Sequence, residues 1–500
     1  ILIAFLYIFG NNFVKIKNLL SLDRKTWILV IMIFVLALLI RTFIAPPTHR
    51  VFFDEDIYLD MGLEIKERGM GGLCNYGDQN GCHEYAFMKW PTSYPLLLAI
   101  SYTFFGVSET TAFMLVRVLS SLSVVIMFLI GYVLTKNKRI GIYGALILTF
   151  VPMHIIWSST TASEPVFMVL SLITFLFLLI AIKIRTWEMQ ALFMLSLAFA
   201  VQARAEGGIL IPVMLSALIL LDRKWLDNII KFRLIWVLFF ILLIPYLVHI
   251  HYSAIYDTWG SNGEKFSLDF VKNNMTTNLK FWISGYPNIE HPTLFTIFAL
   301  VGLAWLVKTY RNLGIALFVW FAILFFLYTS FYAGSVLYGV DVRYTLPGYA
   351  PFALLAAFGV YAIETRLPLA LAKKYTPIMM AIIIIASFAL HYQSVSTPAN
   401  NIVEARQARV YHDFMVAQAI NLDKDCYVLS HVPSMYLIHG ANSLQTWNGQ
   451  NQRVMDDLFR KTDCILFDDG MWCYIEPYKS SVCKSIFDGY DLERFSAVSV

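Results

Sequence analysis

The chain has 500 residues, of which 58% are hydrophobic and only 14% charged, and its 38 basic residues are nearly matched by 34 acidic ones. With a mean hydropathy of +0.63, this excludes a soluble, disordered, fibrous or coiled-coil protein, because only a bilayer hides so much apolar surface. No Lys/Arg run is long enough for a nucleic-acid footprint, so no nucleic-acid partner is expected.

The first residue is Ile1 rather than Met, and the apolar piece 1–10 is too short to span. It reads as the remnant of a signal or anchor, or as an interfacial segment. About eleven later stretches approach the 20 apolar residues that a membrane helix needs. In chain order they are Trp27–Ala45, Thr111–Thr135, Ile140–Trp157, Ala162–Ile182, Trp187–Ala203, Gly207–Leu221, Leu234–Ile250, Pro292–Val307, Leu313–Tyr332, Leu346–Ile363 and Thr376–Tyr392. Tyr94–Phe105 is shorter and suits a re-entrant or juxtamembrane helix.

Basic clusters orient this set. Lys15 to Lys25, Lys136 to Arg139, Lys183 with Arg185, Arg223 to Arg233, Lys308 with Arg311, and Arg366 to Lys374 all fall on one side if the N-terminus is cytoplasmic. The fold class expected is therefore an all-α polytopic membrane protein in the plasma or inner membrane. Residues 1–393 form its helical domain, with outer loops at 46–109 and 251–291. Residues 394–500 form a small extracytoplasmic α/β domain, with strands at Cys426–Ser430 and Cys464–Phe467 and helical turns at Pro433–Ile438 and Met455–Lys461. All six cysteines lie in the first outer loop and the tail, as an oxidising compartment favours. Cys74–Cys82 and Cys473–Cys483 are the local disulfides expected, with free thiols as the alternative, since an even count proves no pairing. A glycosylation sequon, Asn274-Met-Thr276, also falls outside.

Chemistry concentrates at the outer ends of the spans. Asp54, Glu55 and Asp56 are adjacent carboxylates at the membrane face, a setting that suits a general base or a cation ligand, or else a solvated acidic turn. Lys89 in Lys89-Trp-Pro-Thr-Ser-Tyr-Pro95 is a point charge for a phosphate, or an interfacial lysine. Glu164 opens a span. Arg204 and Glu206 occupy a tight turn between two spans, and Arg343 and Tyr344 precede another. Charges at membrane depth are functional candidates by default, and each here has a structural ion pair as its alternative. Together, carboxylates and guanidinium groups at one membrane face suit acid/base chemistry beside a phosphate anion.

In order along the chain, these residues resemble the GT-C superfamily of polytopic glycosyltransferases, specifically family 39, which includes protein O-mannosyltransferases and lipid A aminoarabinose transferases. The resemblance runs from about Trp27 to Ile363. It is carried by Arg41, Phe53-Asp-Glu55, Lys89-Trp-Pro91, Phe105-Gly106, Arg117, Ser163-Glu-Pro165, Arg204-Ala-Glu-Gly207 and Arg343-Tyr-Thr-Leu-Pro347. The chain departs from the family at Glu164, often Asp in relatives, at Ala205, often Pro, and at Thr92, where a second Pro is usual. What the resemblance implies is inverting transfer of a sugar from a polyprenyl- or dolichyl-phosphate donor to a hydroxyl of a protein, glycan or lipid acceptor, on the outer face. Asp54 would be the base. Lys89, Arg204 and Arg343 would hold the phosphate, and Glu55 and Glu164 would position the reactants. Glu206 and Tyr344 join the substrate-binding set. No cofactor or metal is expected, although the Asp54–Asp56 cluster leaves room for a divalent cation. The competing readings are a lipid or sugar transporter, which would carry charges midway through spans, and an inactive scaffold.

Overall fold

The computed structural model describes residues 1–51, 53–87, 90–256, 264–285, 291–337, 339–366, 372–396, 403–470, 472–475 and 477–493. The chain folds as two compact units. The first joins Ile1–Thr48 to Phe113–Asn401, and the second joins His49–Ala112 to Ile402–Val500.

The first unit is helical. Among the described residues, six helices are long and apolar enough to cross a membrane: Arg24–Phe43, Glu109–Thr135, Ser163–Ile184, Arg233–Ser253, Arg311–Thr329 and Val342–Arg366. Four shorter apolar helices in this unit, Trp187–Val201, Ala205–Leu221, Thr293–Thr309 and Tyr375–Ala389, coincide with other expected stretches. Proline explains where an expected span is broken. The 140–157 stretch divides into helices Lys138–Phe150 and Pro152–Trp157, because Pro152 can supply no N–H to the preceding turn. The N-terminal residues differ from expectation too. They form one continuous helix, Leu2–Leu20, rather than a ten-residue piece.

Close packing of helices needs small residues, since lipid supplies no hydrophobic drive between them. Gly302 and Gly359 let helix Thr293–Thr309 lie directly against Tyr349–Arg366. A Cβ on Gly302 would stand 1.8 Å from the Leu355 carbonyl oxygen, and one on Gly359 would stand 1.8 Å from that of Phe298.

The second unit holds a five-stranded sheet built from two distant segments. Its strands are β1 (Gly72–Asp78), β2 (Gly81–Phe87), β3 (Tyr427–Ser430), β4 (Asn442–Gln445) and β5 (Ile465–Phe467), in the order β2-β1-β4-β3-β5. The tail strands β4, β3 and β5 run parallel, with β3, a fully buried run of Tyr-Val-Leu-Ser, at the centre of the three. The hairpin β1–β2 comes from the segment 46–109, expected as the first outer loop, and joins antiparallel to β4, with Tyr76 opposite Leu444. The loop that the sequence division assigned to the helical domain thus shares a compact unit with the tail. Disulfides join Cys74 to Cys82 and Cys473 to Cys483, as expected, and also Cys426 to Cys464. Helix Ser93–Phe105, the shorter apolar stretch of the sequence, has 13 residues.

Candidate active-site clusters

Two clusters of buried charge stand out, one in each unit. In the helical unit, Glu164 opens helix Ser163–Ile184, so its carboxylate sits where the unpaired N–H groups of the first turn favour negative charge. Arg204 precedes the short 3-10 turn Ala205–Ile209, and Arg343 lies in the 3-10 segment Gly339–Gly348. Arg204 Nη1 and Arg343 Nε stand 2.6 and 2.9 Å from the same oxygen, Oε1 of Glu164. Arg204 also donates to Ser163 Oγ at 2.9 Å and pairs through Nε with Glu206.

Aromatic hydroxyls and rings complete this cluster. Tyr328 donates to Glu206 Oε1 at 3.0 Å, and Arg343 donates to the Tyr344 hydroxyl at 3.1 Å. The Arg343 guanidinium lies 4.9 Å from the centroid of the Tyr344 ring, which itself stacks on Tyr328 at 5.1 Å. Tyr246 fixes the turn by donating to the Ala205 carbonyl (2.6 Å) and accepting from the Gly208 N–H (2.8 Å). Beside Tyr328 and Tyr344 lies a narrow cleft, lined with aromatic groups including Trp282, Phe321 and Phe325. Glu164, Arg204, Glu206, Arg343 and Tyr344, singled out separately in the sequence, are therefore one constellation. Tyr328 and Ser163 belong to it as well. Ser163 adjoins Glu164 in sequence, whereas Tyr328 sits unmarked in an aromatic-rich span.

Arg41 and Arg117 have structural partners. Arg41 is fully buried and donates to the carbonyls of Ala37 and Leu148, with His154 Nδ1 at 2.7 Å. Arg117 donates to the Ala45 carbonyl at 3.3 Å.

In the second unit, Asp54 opens helix Asp54–Arg68, directly after Phe53, whose φ of 60° lies in the left-handed region. A non-glycine residue there stores roughly 1–3 kcal/mol of strain. Asp56 steadies the turn by accepting the Phe53 N–H at 3.2 Å. Glu55 is buried. Burial opposes its charge, but His49 beside it and the N–H groups of Val51 and Arg50, at 2.8 Å each, prevail and lower its pKa to about 2. His49 reaches Glu55 Oε2 through Nδ1 (3.0 Å) and Glu109 Oε1 through Nε2 (3.3 Å). His412, from helix Val403–Asn421, stands 3.2 Å from Asp56 Oδ1 through Nε2. The two imidazole rings lie 4.5 Å apart.

Sequence reasoning missed His49, Glu109 and His412. His49 lies six residues before Glu55, a local signal within reach, while nothing near His412 marks it. Lys89 lies outside the described residues.

Residues 89–249 match the family described as dolichyl-phosphate-mannose-protein mannosyltransferase. The fold is similar to that of ArnT from Cupriavidus metallidurans bound to undecaprenyl phosphate, with a TM-score of 0.53 at 11% identity over 84% of this chain and 85% of that one. It is also similar to the archaeal oligosaccharyltransferase AglB from Archaeoglobus fulgidus, in complex with an inhibitory peptide and a dolichol-phosphate. There the TM-score is 0.55 at 12% identity, over 93% of this chain and 71% of that one. No curated protein sequence matches the chain.

Proposed function

We propose that the chain is an inverting glycosyltransferase of the GT-C type using a polyprenyl- or dolichyl-phosphate sugar, a reading supported by the match over residues 89–249 and by the two similar folds. The lipid phosphates in the ArnT and AglB structures support the donor class. The acceptor is a hydroxyl of a protein, glycan or lipid. In this reading the chain has about eleven spans, a cytoplasmic N-terminus, and its site and tail domain on the outer face of the plasma or inner membrane.

The observation that carries the proposal is the meeting of Arg204 and Arg343 on one Glu164 oxygen, at the first turn of the apolar helix Ser163–Ile184. Two guanidinium groups held in place by carboxylates are preorganised for a phosphate and need no reorganisation as its charge grows. Tyr344 backs both cations, with ring-to-guanidinium distances of 4.9 and 5.9 Å. The neighbouring cleft presents the aromatic faces of Trp282, Phe321 and Phe325 beside this cluster. Lys89 is proposed as a further phosphate ligand, with Glu206 holding Arg204.

In the reaction, the acceptor hydroxyl passes its proton to Asp54 as its oxygen attacks C1 of the sugar. The C1–O bond to phosphate breaks with inversion, and the lipid phosphate departs with the electron pair. Glu55 positions Asp54 or the reactants. Arg204 and Arg343 stabilise the departing phosphate, and no step calls on a metal ion.

The test uses the full chain in lipid nanodiscs, supplied with lipid-phosphate sugar. Arg343→Ala should lose roughly 10²–10³ in transfer rate, Asp54→Asn should be inactive, and surface Lys461→Ala should be unchanged. Thermal unfolding of each variant controls for folding. Near-wild-type transfer by Asp54→Asn would remove the base, and full activity of both variants would overturn the reading.

A further inference from the structure

The second unit gathers four metal-ligating side chains from three separate stretches of chain. One ligand atom each from His49, Asp56, Glu109 and His412 lies within 4.8 Å of all the others. His49, Asp56 and His412 are buried, and Glu109 is partly so. We propose that these four residues form a divalent transition-metal site, and that the ion it takes is Zn²⁺.

The donor set decides the class of ion. Ca²⁺ and Mg²⁺ take oxygen ligands almost exclusively, whereas two imidazoles with two carboxylates suit Zn²⁺ and its first-row neighbours. The spacing agrees. Bonds of about 2.0–2.1 Å to a tetrahedral zinc put neighbouring ligand atoms roughly 3.3 Å apart. His49 Nε2 is 3.3 Å from Glu109 Oε1, and His412 Nε2 is 3.2 Å from Asp56 Oδ1. Both pairs are already at the length of a tetrahedron's edge.

The surrounding contacts orient the ligands as a metal site requires. A ligating histidine usually donates its other ring N–H to a carboxylate, which fixes the tautomer and ring angle. Here His49 Nδ1 faces Glu55 Oε2 at 3.0 Å, and Glu55 is itself anchored by two backbone N–H groups. That contact leaves His49 Nε2, which faces Glu109, as the atom that would bind the ion once its proton is displaced. Asp56 is steadied through its second oxygen by the Phe53 N–H, leaving Oδ1 for the ion. His439 Nε2 stands 3.5 Å from the same Glu109 oxygen. Bound zinc would tie helix Val403–Asn421 to the segment from His49 to Asp56 and to the start of helix Glu109–Thr135. It would act as a clamp within the unit that carries Asp54. This role is independent of the transfer reaction, because it concerns metal content and stability alone.

The experiment is elemental analysis and thermal unfolding of the full chain, purified without reductant and then stripped with a chelator. About one zinc per chain is expected before stripping. The unfolding midpoint should fall on stripping and return with Zn²⁺ but not with Mg²⁺. His49→Gln and His412→Gln should each lose most of the zinc. His431→Gln should keep it, since the cysteines beside His431 are joined in the Cys473–Cys483 disulfide. Should the ligand variants fail to fold, the stripped wild type titrated with Co²⁺ decides the matter: visible d–d bands of four-coordinate cobalt are expected. Zinc retained in full by folded His49→Gln and His412→Gln overturns the assignment. So does a stripped wild type with no Zn²⁺-dependent midpoint or no cobalt bands.

Discussion

Arg204 and Arg343, far apart in sequence, meet on one oxygen of Glu164, at 2.6 and 2.9 Å. Their side chains and that of Glu164 are each no more than about a tenth exposed. Such a cluster holds together only while its charges balance, because the price of an uncompensated ion at this depth is several kcal/mol.

Glu164→Gln therefore leaves the shape of the cluster nearly intact but removes the charge shared by two cations. A loss of about 3 kcal/mol or more is expected, the range for breaking a buried pair by deleting one partner. It should be read as a lower thermal midpoint of the purified protein. Glu206→Gln should cost less, since Glu206 is more exposed and pairs with Arg204 alone among the described cations. Equal midpoints for wild type and Glu164→Gln would mean that the ion pairs hold nothing.

The two helices in contact through Gly302 and Gly359 give a steric prediction. A methyl group at either position meets a backbone carbonyl at 1.8 Å, which no rotamer change relieves. Gly302→Ala and Gly359→Ala should each destabilise the helical unit by roughly 1–3 kcal/mol, the cost of overpacking. Gly10→Ala, with open space around its Cβ position, should not. Unfolding of the three variants side by side checks the ranking.

The spans and the charges at their ends were legible because both signals are local. An apolar run declares a membrane helix by composition, and Glu164, Arg204 and Arg343 are conspicuous as ions beside such runs. Proline breaks were less visible, since Pro152 falls inside a stretch whose hydropathy continues unbroken across it. The alliance of the segment 46–109 with the tail could not be read at all. Strand Gly72-Leu-Cys-Asn-Tyr-Gly-Asp78 lacks alternating apolar residues, and its pairing with β4 spans more than 360 positions in sequence. His412 escaped for the same reason: its importance lies in Asp56, which only folding brings near. Local disulfides were found and the distant Cys426–Cys464 was not, because spacing speaks only for short loops.

That third disulfide closes a loop of separation 38, against 8 and 10 for the other two. Loop-closure entropy makes it the most stabilising of the three, at about 4 kcal/mol against about 2.5 for Cys74–Cys82. The double variant Cys426→Ser/Cys464→Ser should lower the unfolding midpoint of the second unit more than Cys74→Ser/Cys82→Ser. The reverse order would show that strand pairing of β3 with β5 already restricts the unfolded chain.

Asp60 supplies a pH dependence of definite sign. It is fully buried on helix Asp54–Arg68, and burial, aided by the nearby carboxylates of Glu64 and Asp56, raises its pKa from 3.8 to about 8 against the opposing pull of the Cys74 N–H and Arg68. Its Oδ2 accepts that N–H at 2.9 Å, while Oδ1 has no hydrogen-bond partner among the described residues. The folded state thus keeps a proton that the unfolded chain releases once the pH passes the ordinary carboxyl range. Stability from this group is complete below that range and is lost as the pH rises through about 8. Asp60→Asn mimics the protonated form and removes the dependence. Compared across about pH 5 to about pH 9, the variant should gain on the wild type steadily as the pH rises, then run parallel to it at the alkaline end. Midpoints that stay parallel throughout would mean that Asp60 is already ionised in the fold, and that the Cys74 N–H outweighs the burial.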